Sequence, residues 1–259
     1  MIVLTVIRGT GRGNKNPKYR NDKKVITAIS RAFKHKYFRN HPSIFNSGEL
    51  SDSLMNPTYM KRYVDFFETQ DKHKLLLLTK SNRVKWLAEK PRRQTITSFS
   101  MNVIEVWKRW ENRTPSPLQR IEAARQLLEN GYEVRIRIDP IFPIDKWRTH
   151  YQDLLYSLLS ELPSDPNRIT LGTPRGLAKT LIFAKDRSWE RIAFTDEPDR
   201  TGWGKKAPFP IRKEIYLFFY DKLHNLGFDK SRVAMCKETR LMWLELGLDP
   251  RLCKCNCVW

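Results

Sequence analysis

The chain has 259 residues, 40% hydrophobic and 12% aromatic, enough for one large domain with a substantial core. Its 48 Lys and Arg against 28 Asp and Glu leave a formal charge of +20, a field that draws polyanions, so nucleic acid heads the expected partners. No run spans a membrane, the first residues do not form a signal peptide, and four cysteines do not make a secreted disulfide framework. A cytoplasmic protein with no membrane partner is therefore expected.

Residues 2–7 read as a buried parallel strand. The loop that follows, 8–20, sets Gly9, Gly11 and Gly13 among Arg8, Arg12, Lys15 and Lys18. Glycine-rich turns can cradle an anion, but the lysine–hydroxyl ending of a P-loop and the dinucleotide-binding glycine spacing are both absent. A plain basic loop satisfies the same pattern. Val25, Ile29, Ala32 and Phe33 predict a helix over 24–36, and a strand follows at 43–46. Asn56 as cap and Pro57 in the first turn open a helix whose apolar stripe is Met60, Tyr63, Val64 and Phe67. A leucine strand at 75–78, a helix through Val84 and Leu87, and a strand at 95–99 come next. Ser116 and Pro117 begin a long helix that Asn130-Gly131 stops. Period-two alternation marks 134–138, then a helix over 147–162 and a strand at 168–171. A helix over 211–226, a strand at 233–236 and a helix over 238–246 complete the pattern.

Strands alternating with helices, about seven βα units, predict an α/β fold built on a parallel sheet with right-handed crossovers, either a barrel or an open half-barrel. The expected organisation is a barrel over 1–187, an inserted loop at 188–210, the last helices and strand at 211–249, and a Cys-rich tail at 250–259. The insertion interleaves Trp189, Trp203 and Phe209 with Arg187, Arg191, Arg200, Lys205 and Lys206. Single-strand and flipped-base binders use that mixture, rings for stacking and cations for phosphate. Tryptophans packed onto the barrel would leave the same signature.

In a parallel α/β fold the C-terminal strand ends lie together, so polar residues just past strands are the candidate site. Three such tips stand out: Ser47-Gly48-Glu49, Lys80 after the leucine strand, and Ser98 and Ser100 flanking Phe99 ahead of Asn102. Glycine allows close backbone approach, and Glu49 can accept hydrogen bonds from an ammonium group; a turn with a helix-capping serine is the alternative. Lys80 suits a ligand carboxylate or phosphate, or is a solvated strand end. Arg135, Arg137 and Asp139 share one face of their strand, ordinary surface charge if outward and costly unless paired if inward. Cys236, Cys253, Cys255 and Cys257 could supply four thiolates to a metal; a reduced, frayed terminus is the other reading.

The segments 47–54 (Ser47-Gly48-Glu49-Leu50-Ser51-Asp52-Ser53-Leu54), 78–82, 98–102, Arg120-Ile121-Glu122-Ala123-Ala124-Arg125, Arg137-Ile138-Asp139-Pro140-Ile141 and the Cys236–Cys257 tail, taken together, resemble the spore photoproduct lyase family of radical S-adenosylmethionine (SAM) proteins. The resemblance implies a partial (β/α)6 TIM-like barrel, here with a C-terminal Cys-rich extension. It implies SAM across the strand ends beside a [4Fe–4S] cluster, and a 5′-deoxyadenosyl radical that reverses a thymine-dimer lesion in DNA. Carried over by motif, Ser51, Lys80 and Ser100 would contact SAM, Lys80 through its carboxylate, with Glu49 near the polar end. Ser47, Gly48, Ser98, Asn102, Arg137 and Asp139 complete the implied cofactor-binding set.

Two departures accompany it. The family holds its cluster with C-x-x-x-C-x-x-C in the loop after the first strand, and 8–20 contains no cysteine. The segment around Ser51 also lacks the thiol that returns hydrogen at the end of repair. The resemblance therefore implies a degenerate or truncated member, and a non-catalytic basic nucleic-acid-binding barrel is the alternative.

Overall fold

The structure is a computed structural model and describes residues 2–3, 7–8, 18–19, 21–48, 51–184, 186–194 and 204–259. After β1 (Ile2–Val3), β2 (Ile7–Arg8) and β3 (Lys18–Tyr19) pair antiparallel as a separate ribbon. Six longer strands follow: β4 (Ile44–Asn46), β5 (Lys74–Thr79), β6 (Thr95–Met101), β7 (Glu133–Ile138), β8 (Arg168–Leu171) and β9 (Val233–Met235). With β1 they form one sheet in the order β1-β4-β5-β6-β7-β8-β9, every pair parallel. This is the expected half-barrel: sequential strands neighbour one another, and β1 and β9 are left as edges.

Helices supply the crossovers. After α1 (Asp22–Lys34) and α2 (Lys36–Asn40), α3 (Pro57–Phe67) starts where Asn56 accepts from the Tyr59 N–H, and it buries the Met60, Tyr63, Val64 and Phe67 stripe. After the short α4 (Lys85–Ala88), residues 103–115, unassigned by the sequence pattern, hold α5 (Ile104–Val106) and a π turn, Trp107–Glu111. Both are too short to leave a periodic signal. α6 (Pro117–Glu129) opens on a capping box between Ser116 and Gln119, and α7 (Trp147–Glu161) follows. α8 (Ala178–Phe183), α9 (Glu190–Ala193), α10 (Phe209–Asn225) and α11 (Arg240–Glu245) complete the layer. Trp189 packs edge-on against Phe142 and Phe194, and Trp203 and Arg200 lie outside the described residues.

The two faces of the sheet differ in chemistry. Leu75, Leu77, Phe99, Met101, Val134, Ile136, Ile138, Ile169 and Leu171 join the main core, under the helices. The alternate residues face the concave side, where Ile44, Leu76 and Ile96 give way upward to Ser98, Ser100, Arg135, Arg137 and Thr170. Parallel strands covered on both faces usually read apolar on both, so this polar face needs partners.

The C-terminal segment provides them. Asn256, fully buried, donates through Nδ2 to Ser98 Oγ at 2.9 Å and to the Ile136 carbonyl at 2.7 Å, while its Oδ1 accepts from Thr170 Oγ1 at 2.8 Å. Arg135 donates to the Asn256 and Val258 carbonyls at 2.7 and 2.9 Å, and Arg168 to those of Cys255 and Val258. Arg135 is thus inward and paired, through main-chain oxygens of the tail and through Glu133. The frayed-terminus reading fails, because the segment fills the concave side of the half-barrel.

Candidate functional site

One cavity of about 470 Å³ opens at the C-terminal edge of the sheet. Its lining comes from after β4 (Ser51, Asp52), the end of β5 (Leu78, Thr79, Lys80), β6 (Ser100), β7 (Arg137, Asp139, Pro140), and the loops after β8 and β9 (Arg175, Leu177, Lys237). Ser51, Lys80 and Ser100, the three residues carried over by motif, share it.

On the near rim, Asp52 ties the loop to the strand end. Its Oδ1 accepts from Thr79 Oγ1 and its Oδ2 from the Lys80 N–H, at 2.8 and 2.6 Å. Gly48 donates its N–H to Asn46, and a Cβ there would meet Ser51 Oγ at 2.9 Å, so glycine lets the loop fold back. Lys80 Nζ reaches Glu111 at 2.7 Å, and Glu111 also accepts from the fully buried Arg120 at 3.0 Å. Burial pushes the Glu111 carboxyl up, but Lys80 and Arg120 together outweigh it and hold it below the ordinary range. Counting Asp52 on the same rim, the two cations Lys80 and Arg120 face two carboxylates, so this side of the cavity is close to balanced in charge. Arg120 also donates to the Ser100 carbonyl at 2.9 Å, which fixes that strand tip.

On the far side, Asp139 accepts from Arg137 at 2.7 Å and from Arg175 at 2.8 Å. Burial opposes its ionisation, yet Arg137 and then Arg175 keep it below the usual carboxylate value. Gly172 makes room: a Cβ there would lie 2.6 Å from the Asp139 carboxyl carbon. Arg137 also donates to Cys236 Sγ at 2.9 Å; burial and then Asp139 push the Cys236 thiol up to about 11.

The remaining candidates scatter. Ser47 is buried against Ser53 and the Leu76 carbonyl, holding the loop without facing the cavity. Ser98 is taken by Asn256, and Asn102 binds the Pro140 carbonyl and the Tyr151 hydroxyl beneath α7. Glu49 lies outside the described residues. Cys253 sits in the main core and Cys257 in the small concave cluster, while a hydrogen bond from Cys257 brings the Cys255 thiol down to about 6. Among the described residues no three His, Cys, Asp or Glu side chains are placed to hold a metal ion, so the four cysteines do not converge on one. Sequence reasoning missed Asp52, Glu111, Arg175 and Lys237 as site residues. Arg175 and Lys237 follow β8 and β9, and the rule applied to the first three tips reaches them as well. Glu111 sits in the π turn, where no pattern marks it.

Comparison with known proteins agrees with the half-barrel fold. The family model for spore photoproduct lyase matches residues 49–207. The spore photoproduct lyase of Bacillus subtilis is 30% identical over 169 residues, 61% of this chain and 46% of its own length. That of Clostridium acetobutylicum is 28% identical over 117 residues, 44% of this chain and 35% of its own. The chain thus aligns with between a third and a half of the curated relatives it matches. A spore photoproduct lyase complexed with dinucleoside spore photoproduct shares the fold at TM-score 0.68 and 20% identity, over 84% of this chain and 66% of that one. Streptococcus suis SuiB bound to S-adenosylmethionine does so at TM-score 0.55 and 11% identity, over 89% and 46%. With the family model matching well over half of its length, and the half-barrel in common, this chain belongs to the spore photoproduct lyase family of radical SAM proteins.

Proposed function

We propose that this chain binds SAM across its strand tips and engages a thymine-derived lesion in DNA, the chemistry of its family, without being able to start radical chemistry by itself. The observation that carries the first half is the convergence of Ser51, Lys80 and Ser100 on one cavity, with the Lys80 ammonium at its near rim. A ligand carboxylate there can share Lys80 with Glu111, and the two hydroxyls remain available to the ammonium and ribose ends. Ser47, Gly48, Ser98 and Asn102 act by holding the tips in place.

The [4Fe–4S] cluster that the family implies does not fit the residues present. The loop 8–20 carries no cysteine, and the four cysteines of the chain are Cys236, Cys253, Cys255 and Cys257. Cys255 and Cys257 are hydrogen-bonded to each other in the tail and Cys253 sits in the main core, and among the described residues no three His, Cys, Asp or Glu side chains are placed to hold a metal ion. No step through a cluster is assigned to this chain, and no observation favours a barrel that only binds nucleic acid over one that keeps the SAM pocket.

Calorimetric titration with SAM tests the reading. Wild-type protein should bind, and Lys80→Met should raise Kd about 10- to 100-fold, the loss of one charge-assisted contact. No binding, or equal binding by both proteins, would contradict it.

A further inference from the structure

Cys255 and Cys257 are free thiols two residues apart, in a turn that the Val258 N–H closes onto the Cys255 carbonyl at 3.2 Å. A turn brings alternate Cα atoms nearer than the roughly 7 Å of an extended pair, toward the about 6 Å that a disulfide takes. The two sulfurs already meet. The Cys257 thiol donates a hydrogen bond to Cys255, and so does the Cys257 main-chain N–H, while Arg137 and then Arg168 add positive charge from the sheet. Against the opposing effect of burial, these bring the Cys255 thiol down to about 6, so near neutrality it is the nucleophilic thiolate.

Exposure separates the two sulfurs further. Cys255 is partly exposed, whereas Cys257 is buried in the concave cluster with Ile44, Leu76 and Ile96. A reagent arriving from solvent meets Cys255 first, with a second thiol held directly behind it. Cys236 and Cys253 are both buried, and burial pushes both of their thiols up. Asn256 reaches Ser98 and Thr170 through its own side chain, so its clamp on the sheet does not call for a thiol on either side. Among the described residues no third ligand joins the pair to make a metal site.

We propose that Cys255 and Cys257 are a reversible dithiol that a hydroperoxide oxidises to a disulfide. The Cys255 sulfur attacks one oxygen of hydrogen peroxide: an S–O bond forms, the O–O bond breaks, and the leaving hydroxide takes a proton from solvent. The Cys257 sulfur then attacks the Cys255 sulfenic acid: an S–S bond forms, the S–O bond breaks, and the departing hydroxide takes the Cys257 proton. The two sulfurs lose two electrons in all, and the peroxide becomes two waters. A dithiol reductant, itself becoming a disulfide, restores both thiols. None of this draws on the SAM reading of the strand tips.

Trypsin cuts after Arg232, Lys237, Arg251 and Lys254, so Cys236 falls in peptide 233–237, Cys253 in 252–254, and the pair alone in 255–259. The native chain is treated with a small excess of hydrogen peroxide, quenched with iodoacetamide, digested and weighed by mass spectrometry. Peptide 255–259 should appear unalkylated and lighter by two hydrogens, at least about tenfold faster than Cys236 or Cys253 is modified, and dithiothreitol before the quench should return both alkylation sites. With dimedone present, Cys257→Ser should carry the sulfenic acid adduct on Cys255, and Cys255→Ser should carry none on Cys257. A fully alkylated 255–259, oxidation of Cys236 or Cys253 at an equal rate, or a cross-link from 255–259 to either other peptide would overturn the proposal. So would a dimedone adduct in Cys255→Ser, or its absence in Cys257→Ser.

Discussion

Glu111 shows how a single carboxylate sets the character of the near rim. It is shared by Lys80 and Arg120, and through Arg120 it also steadies the carbonyl of Ser100. Its native pKa lies below the ordinary 4.5, so its stabilising contribution is complete above that value and is lost as pH falls through the depressed native one. Urea unfolding of wild type and Glu111→Gln across acid pH tests this. The stability gap between them should be widest near neutrality and close as the solution is acidified; parallel curves would remove Glu111 from the linkage. Asp139 depends on Gly172 in a comparable way, since the space a Cβ would need is where its carboxylate receives two arginines. Lys80 was readable because it follows an apolar strand and Ser100 because it alternates with Phe99, whereas Ser51 came only through the family resemblance. Glu111 was not, because its place is decided by a π turn and by Arg120, nine residues on.

The C-terminal segment is the element whose role local pattern could not reveal. C-x-C-x-C drew attention to its thiols, whereas the structure works through the residue between two of them. Asn256 satisfies Ser98, Thr170 and the Ile136 carbonyl, partners 158, 86 and 120 residues distant. The period-two pattern of β7 did show that Arg135 and Arg137 share a face, and the structure identifies the partners that make that face bearable. Asn256→Ala would leave buried hydrogen-bonding groups unmet and should cost about 2–4 kcal/mol in urea unfolding. A change below about 0.5 kcal/mol would mean that water replaces the side chain freely. Helix and strand limits elsewhere followed from caps and stripes, as at Asn56 and Ser116, because those signals act within one turn.

Taken entire, the molecule joins a retained half-barrel to a charge of +20. The excess was visible from composition, and it bears on association with polyanions rather than on the fold. Among the described residues no helix is long and apolar enough to cross a membrane. Two features are separated in this chain: the strand tips proposed to hold SAM line one cavity, and the loop 8–20 carries no cysteine. Anaerobic reconstitution with iron and sulfide, followed by iron and acid-labile sulfide analysis and then SAM titration, examines both features in one preparation. The account predicts no [4Fe–4S] signal together with SAM binding that Lys80→Met weakens. A [4Fe–4S] signal perturbed by SAM, or a reconstituted protein that binds no SAM, would contradict it.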